Sequence, residues 1–317
     1  MTPITSATTT TAAFAAALRG SCTAMVTPFR DGGRAVDEAA LRRAVEFQIA
    51  GGTAALVPCG TTGEAATMTA AEVERVVAVV VEQAAGRVPV VAGTGGNDTA
   101  RVVEQTRRAR ALGADAALVV TPYYNKPTQE GLFAHFTAVA DAAGLPVVLY
   151  NVPGRTGVNL LPETTLRLAA HPAIVGVKEA SGSLDQASQI AREAPAGFAL
   201  LSGDDSLTLP IIGVGGCGVV SVAANLVPAA VAAMVEEALA GDFAAARAAH
   251  LDLFDLFRAL FVETNPVPVK AAMALAGLCA EDVRLPLAPL SEAGRRRLAA
   301  ALADCRFTMR PDTAAAA

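Results

Sequence analysis

The 317-residue sequence has no tryptophan, only three tyrosines and three histidines, and five cysteines that lie far apart. The histidines form neither an HxxxH nor an HExxH pattern, so their spacing favours helix or loop positions over a metal site. No two cysteines have CxxC spacing, which argues against a disulfide framework and a zinc site. Dispersed thiols are typical of reduced proteins, and we expect a cytoplasmic protein without a metal.

Charged residues are also few, at 17% of the chain, and the formal net charge is −5. No basic stripe interleaved with aromatic residues is present, so the sequence does not favour nucleic-acid binding. No apolar run is long and uninterrupted enough to suggest a membrane span. Residues 1–20 are rich in Thr and Ala and lack the basic start and apolar core of a signal peptide. We predict a mostly disordered extension there and a tail over residues 307–317.

Hydrophobic residues make up 53% of the chain, enough for a large core. Most of the strand-like runs are continuously apolar, as in parallel strands that are covered on both faces. Helix-like stretches separate the runs, and two of them begin with capping residues, Asp37 and Thr69. The eight runs begin near Cys22, Thr53, Val88, Ala116, Leu145, Ala173, Phe198 and Cys217.

The regular alternation of these segments predicts a closed (β/α)8 barrel, a TIM barrel, over residues 21–239. A pair of Rossmann-like halves with an open sheet is the alternative. After Asn225 the pattern is helical, which predicts a C-terminal helical region over residues 240–306. Functional residues of such barrels lie at the carboxyl ends of the strands, so the polar residues there are the candidates.

Lys178 ends the sixth apolar run, in "AIVGVKEASGS". A single lysine at a strand end is more often simply exposed to water. Polar residues also end the other runs, so this lysine is expected at the barrel mouth, where it can act as an amine nucleophile. Burial there would favour the neutral amine, because the charged form is the one that loses hydration.

Tyr150 ends the neighbouring run and is a candidate proton donor for an imine-forming lysine. The alternative is a core tyrosine with its hydroxyl at the rim of the barrel. All three tyrosines of the chain fall at predicted strand ends, which favours a functional role.

Two further segments could bind carboxylates. "CGTTGEAA" places the hydroxyls of Thr61 and Thr62 in a turn flanked by glycines. It lacks the lysine of a phosphate-binding loop, so a nucleotide is not expected. "YNVPGRTG" places Arg155 in a turn above the mouth, where a guanidinium can hold a second carboxylate in two-point fashion. A surface arginine is the alternative reading of Arg155.

Six segments, "GTTGE", "TPYYNKP", "YNVPGRTG", "VGVKEASG", "LLSGDD" and "GVVSVAAN", occur in this order between about residues 20 and 306. Together they resemble the pyruvate-dependent Schiff-base aldolases, and among them the dihydrodipicolinate synthase family. The resemblance implies a lyase that condenses pyruvate with L-aspartate 4-semialdehyde. The product would be 4-hydroxy-tetrahydrodipicolinate, the entry to diaminopimelate and lysine biosynthesis. Because the imine formed on the catalytic lysine side chain is itself the electron sink, the resemblance implies no cofactor.

The resemblance also implies roles for individual residues. Lys178 would form the imine with pyruvate, and Tyr150 would exchange protons through a relay with Thr61 and Tyr124. Tyr124 would reach in from a neighbouring subunit, which implies a homotetramer built as a dimer of dimers. The implied substrate-binding groups are Thr62 and the backbone at Val220 for pyruvate, and Arg155 for the semialdehyde carboxylate.

Two other functions remain open. The same barrel and lysine serve sugar-acid aldolases and dehydratases, such as N-acetylneuraminate lyase or ketodeoxygluconate aldolase. The combination of "YYNKP" with "PGRTG" favours the synthase, because those relatives usually lack it. A catalytically silent ligand-binding barrel is the third reading, since fold does not fix function.

Sensitivity to lysine is expected to be weak or absent. Asn97 and Tyr123 match the lysine-binding site of sensitive relatives. Arg101 stands in place of a glutamate that would pair with the ligand's ammonium, so an attraction becomes a repulsion. Three more positions lose polar groups found in sensitive relatives: Ala65, Ala70 and Val73.

Overall fold

Eight parallel strands form a closed barrel in the computed structural model, which describes residues 14–307. The strands are β1 Gly20–Ala24, β2 Ala55–Val57, β3 Val91–Gly93, β4 Ala116–Val120, β5 Val147–Asn151, β6 Ile174–Glu179, β7 Ala199–Ser202 and β8 Gly218–Ser221. The order around the barrel is β2-β1-β8-β7-β6-β5-β4-β3, and a bridge between Leu56 and Val90 joins β2 to the residue before β3. The prediction of a (β/α)8 barrel is confirmed; seven strands lie inside their predicted runs, and β1 begins two residues before the run predicted from Cys22.

A helix follows each strand and covers the outside of the barrel. The predicted helix starts at Asp37 and Thr69 are confirmed: Asp37 accepts from the backbone N–H of Ala40, and Thr69 forms a capping box with Glu72. The barrel helices are α1 Glu38–Ala50, α2 Ala70–Ala84, α3 Thr99–Ala111, α4 Gln129–Ala143, α5 Pro162–Ala169, α6 Leu184–Glu193, α7 Thr208–Gly213 and α8 Pro228–Leu239.

Short elements decorate the carboxyl ends of the strands. A hairpin of Phe29–Arg30 with Ala35–Val36 follows β1, and a single helical turn, Pro153–Thr156, follows β5. Short 3-10 turns lie at Ala65–Thr67, Asp205–Leu207 and Ala223–Asn225. These elements surround the barrel mouth, where the candidate residues lie.

The amino-terminal end of the barrel is closed by the segment before β1. Residues 14–17 are helical, and Ala15 and Leu18 are 5% and 1% exposed. Both join the apolar cluster that fills the barrel interior, together with side chains such as Val91 and Leu118. The expectation of a disordered extension over residues 1–20 therefore does not hold from residue 14 onward, because these apolar side chains fill the end of the barrel. Residues 1–13 and 308–317 lie outside the described residues.

Three helices follow the barrel: α9 Phe243–Ala259, α10 Val267–Leu275 and α11 Glu292–Asp304. They form one apolar cluster with α8, which includes Val231, Leu253 and Met273. Asn265, just before α10, and Lys270, in its first turn, reach back to the loop after β2. Within residues 14–307, no helix is long and apolar enough to cross a membrane.

Candidate active site

Lys178 and Tyr150 face each other inside the barrel mouth. They are paired in register on the adjacent strands β6 and β5, and they are 5% and 6% exposed. The Lys178 Nζ lies 4.3 Å from the centroid of the Tyr150 ring. Among residues 14–307, no carboxylate forms an ion pair with Lys178. The amine is therefore placed for chemistry inside the mouth instead of being held in a structural salt bridge.

Gly203, just after β7, shapes the space around the lysine stem. A Cβ at this glycine would lie 3.1 Å from Lys178 Cε and 2.6 Å from Ala180 Cβ. The backbone N–H of Gly203 donates to the Glu179 carbonyl at 2.7 Å, which fixes the turn against β6. The absence of a side chain at residue 203 thus lets the lysine stem lie close against the end of β7.

Glu179 points away from Lys178, because successive strand residues face opposite sides of a sheet. Its carboxylate is 2% exposed and accepts from Gln186 at 2.9 Å and from Asn151 at 3.2 Å. The backbone N–H of Ser181 also donates to it, at 2.6 Å. The adjacent Lys-Glu pair therefore places a reactive group inside the barrel and a fully bonded structural carboxylate outside it.

The loop after β2 presents the two threonine hydroxyls. Thr62 is 3% exposed, and its Oγ1 accepts from Asn265 Nδ2 at 3.0 Å, while Thr61 is half-buried. Thr27 donates to the Gly63 carbonyl at 2.7 Å. A Cβ at Gly63 would lie 2.9 Å from the backbone nitrogen of Cys59, so the tight turn requires glycine there.

The end of β8 is held by a buried carboxylate. Val220 belongs to the same interior cluster as Tyr150. Asp205, in the turn after β7, accepts hydrogen bonds from groups that directly follow Val220 in the chain. These are the Ser221 hydroxyl and, at 3.0 Å, the backbone N–H groups of Val222 and Ala223. Burial raises the pKa of Asp205 to about 6, although these hydrogen bonds oppose the shift. This network fixes the backbone at Val220.

Arg155 lies in the single helical turn after β5, and it is exposed. Its Nη2 donates to the backbone carbonyl of Asn265 at 3.3 Å. Among the residues that the structure describes, it has no ion-pair partner. The guanidinium can therefore accept a carboxylate from solution without first breaking a salt bridge.

Tyr124 does not reach the other candidates within one protomer. Its side chain is 88% exposed, and its φ angle is +74°. In the part of the chain from 14 to 307, the hydroxyls of Tyr124, Thr61 and Tyr150 make no hydrogen bond with one another. A single protomer therefore brings together Lys178 and Tyr150 but leaves the implied relay incomplete.

The family is settled by comparison with known proteins. A family model described as the dihydrodipicolinate synthetase family matches residues 17–305. This chain belongs to the dihydrodipicolinate synthetase family. The prediction from the six segments is thereby confirmed.

Relatives of this family match over nearly their full length. A 4-hydroxy-tetrahydrodipicolinate synthase from Thermomicrobium roseum is 58% identical over 291 residues, 92% of this chain and 96% of that protein. The dihydrodipicolinate synthase structure from Aquifex aeolicus matches with a TM-score of 0.89 and 45% identity, covering 92% of this chain and 99% of that one. A chloride-inhibited dihydrodipicolinate synthase from Acinetobacter baumannii, complexed with pyruvate, gives 0.89 and 44%, covering 92% and 100%.

Sequence reasoning missed several residues around the site of this dihydrodipicolinate synthetase family member. Gly203 and Asn265 touch candidate site residues, and a buried Lys270–Glu64 ion pair anchors the loop after β2. The segment "ETNPVPVK" carried the one available signal, since a buried helix seldom contains a lysine without a partner. Its partner lies 206 positions away, which local patterns do not reveal.

The two positions that match a lysine-binding site, Asn97 and Tyr123, lie in the loops after β3 and β4. Asn97 donates to the Tyr123 carbonyl at 3.3 Å. The Arg101 side chain is 83% exposed and lies 3.4 Å from the Asp98 carboxylate. Weak sensitivity of this family member to lysine remains a prediction.

Proposed function

We propose that this chain is a lyase that condenses pyruvate with L-aspartate 4-semialdehyde to 4-hydroxy-tetrahydrodipicolinate. The observation that carries the proposal is the buried pairing of Lys178 with Tyr150 inside the mouth of the barrel. An amine with no ion-pair partner among the described residues, next to a phenol, is suited to imine formation. High identity to proteins named as this synthase supports the same conclusion.

The proposed chemistry proceeds on Lys178. Its neutral amine adds to the keto carbon of pyruvate, and loss of water gives an imine, with Tyr150 supplying and removing protons. Loss of a methyl proton gives an enamine, whose carbon attacks the aldehyde of the second substrate. The amino group of that substrate then attacks the imine carbon, closes the ring and releases Lys178. Lysine supplies the electron sink throughout, so the proposal calls on no cofactor.

The two substrates would be held by different parts of the mouth. Thr62 and the backbone at Val220 would bind the pyruvate carboxylate close to Lys178. Arg155, in the turn above, would bind the carboxylate of the semialdehyde by charge-assisted hydrogen bonds. An Arg155→Ala variant should therefore still form the pyruvate imine but lose about a hundredfold in condensation efficiency.

The active assembly is proposed to be a homotetramer, a dimer of dimers in which Tyr124 completes the site of the neighbouring subunit. Its 88% exposed side chain supports this role, since such a tyrosine has no packing function within the protomer. Exposed apolar side chains on α9 support a second interface, because large apolar groups on one helix face often mark contacts between subunits. They include Phe243, Leu251 and Phe254, at 42%, 64% and 39% exposed.

Borohydride trapping tests the role of Lys178. Reduction in the presence of pyruvate should add the mass of the reduced adduct to the peptide that holds Lys178. Lys178→Ala should abolish the adduct, and trapping at the wild-type level in this variant would refute the assignment. A screen of second substrates then decides the reaction, because preference for a sugar-acid aldehyde over the semialdehyde would favour the aldolase alternative.

Subunit mixing tests the shared site. Inactive Tyr124→Phe and inactive Lys178→Ala proteins, mixed and reassembled, should regain activity, because one site of each hybrid dimer then contains both groups. Full activity of a wild-type sample shown to be monomeric at the assay concentration would contradict the proposed assembly.

A further inference from the structure

Asn265, just before α10, connects the two proposed substrate-binding groups. It is 5% exposed, and its Nδ2 donates to Thr62 Oγ1 at 3.0 Å. Its backbone carbonyl accepts from Arg155 Nη2 at 3.3 Å. One residue of the C-terminal helical region thus contacts both the threonine proposed for pyruvate and the arginine proposed for the semialdehyde.

The direction of the hydrogen bond between Asn265 and Thr62 decides what the threonine can offer a ligand. A threonine hydroxyl has one proton to donate and lone pairs that accept. Because the asparagine amide supplies the N–H, Thr62 uses a lone pair in this contact and keeps its proton free. The free proton can then be donated to a carboxylate, which can only accept.

The opposite orientation of the amide would have the opposite effect. Asn265 Oδ1 would then accept the Thr62 proton, and the hydroxyl would be lost as a donor. In the observed orientation, Oδ1 is buried and has no hydrogen-bond partner among residues 14–307. A buried polar atom without a partner is unfavourable and rare, and a role at a functional site is one explanation for it.

The segment that carries Asn265 is anchored to the same loop at a second point. Lys270, on α10, forms a buried ion pair with Glu64, two residues after Thr62 in the chain. Lys270 also donates to the Asp282 carbonyl at 2.7 Å. The segment around the start of α10 and the loop after β2 are therefore held together at two points, the Asn265–Thr62 hydrogen bond and the Lys270–Glu64 ion pair.

We propose that Asn265 is a positioning residue that keeps the Thr62 hydroxyl oriented as a donor to the carboxylate of the first substrate. The inference rests on the proposed function, in which Thr62 binds pyruvate. It gives the C-terminal helical region a part in binding the first substrate, exerted through Thr62.

Asn265→Asp is the informative variant, because it is nearly isosteric and its carboxylate can only accept. This carboxylate accepts a hydrogen bond from the Thr62 hydroxyl, which is then no longer free to donate to the substrate. It also brings a negative charge near the substrate carboxylate. We expect the pyruvate concentration that half-saturates borohydride trapping to rise at least about thirtyfold, with the trapping rate at saturating pyruvate changed much less.

A double-mutant cycle with Thr62→Val separates the two effects. Valine has no proton to capture, so Asn265→Asp in that background reports the effect of the charge alone. We expect its effect there to be at least about fivefold smaller than in the wild type. In a Thr62→Ser background, which keeps the hydroxyl, the full effect should return. Equal effects in the valine and wild-type backgrounds would overturn the proposal.

Asn265→Ala provides the second route, should the aspartate variant not accumulate as folded protein. It removes the N–H without adding a charge, and its effect on half-saturation must also depend on the Thr62 hydroxyl. An effect that is independent of Thr62 would show a merely structural role. If wild-type protein itself traps no pyruvate, the proposed function fails; if it does, and no coupling is found, only the role of Asn265 fails.

Discussion

Replacing Lys270 by methionine should destabilise the protein strongly. The Lys270 and Glu64 side chains are 0% and 1% exposed. Burial lowers the pKa of Lys270, while the adjacent Glu64 carboxylate opposes the shift. Without the ammonium, Glu64 becomes a buried carboxylate whose remaining hydrogen bond comes from the Arg284 backbone N–H at 3.1 Å. Removing one partner of a buried pair costs about 3–5 kcal/mol.

This loss of stability is large enough to measure by thermal unfolding. A change of 1 kcal/mol shifts the melting temperature of a chain of this size by roughly 2 °C, so we expect Lys270→Met to melt about 6–10 °C lower. The double variant Glu64→Gln/Lys270→Met should recover part of the loss, because it no longer buries an unpaired charge.

A surface ion pair provides the matched control. Arg75 and Glu38 form a bidentate pair in which both side chains are more than 40% exposed, at 46% and 42%. Exposed pairs contribute little to stability, so Arg75→Met should melt close to the wild type. If Lys270→Met melted within about 2 °C of the wild type, the reasoning about the buried pair would be refuted.

Three further predictions concern the site and its surroundings. Gly203→Ala should slow imine formation by at least about tenfold, because its Cβ would lie 3.1 Å from Lys178 Cε; an unchanged single-turnover trapping rate would contradict this. Burial lowers the pKa of His135 to about 4, so its contribution to stability is present above pH ~6.5 and lost as the pH falls towards 4. In the His135→Gln variant, the free energy of unfolding measured in urea should fall less between pH ~6.5 and 4, by up to about 3 kcal/mol. If the curves of unfolding free energy against pH ran parallel for wild type and variant, His135 would not be the cause of the acid loss. L-lysine should inhibit the initial rate weakly or not at all because of Arg101, and half-inhibition below the millimolar range would show that this site is misread.

The barrel could be predicted because its strands have a local signature. Parallel strands that are covered on both faces are continuously apolar, and the polar residue that ends each run marks the mouth. Lys178 and Tyr150 followed directly from this rule, and the structure places them side by side. Thr62 and Arg155 were predicted in a similar way, since hydroxyls and a guanidinium in glycine-rich turns at strand ends are candidates for binding carboxylates, and their roles remain predictions.

The contacts that connect the site to the rest of the chain could not be predicted in this way. The hydrogen bond from Asn265 to Thr62 spans 203 positions, and no periodic pattern relates two such distant segments. The fit of Gly203 against the lysine stem depends on the spacing of β6 and β7. Leu18 was assigned to a disordered extension because residues 1–20 are rich in Thr and Ala, although its side chain helps to fill the end of the barrel.

The alignment of Lys178 with Tyr150 depends on an irregularity earlier in the same pair of strands. Val147 is paired with Ile174, but Val148 is paired with Gly176, so one extra residue is inserted in β6. Without it, Tyr150 would be paired with Val177, which belongs to the apolar cluster outside the barrel. A Cβ at Gly176 would lie 2.5 Å from the Ala199 carbonyl oxygen, so the inserted stretch requires glycine. The extra residue in β6 therefore sets the register that brings the amine and the phenol together on the inner face, and Gly176 lets β6 lie close against β7.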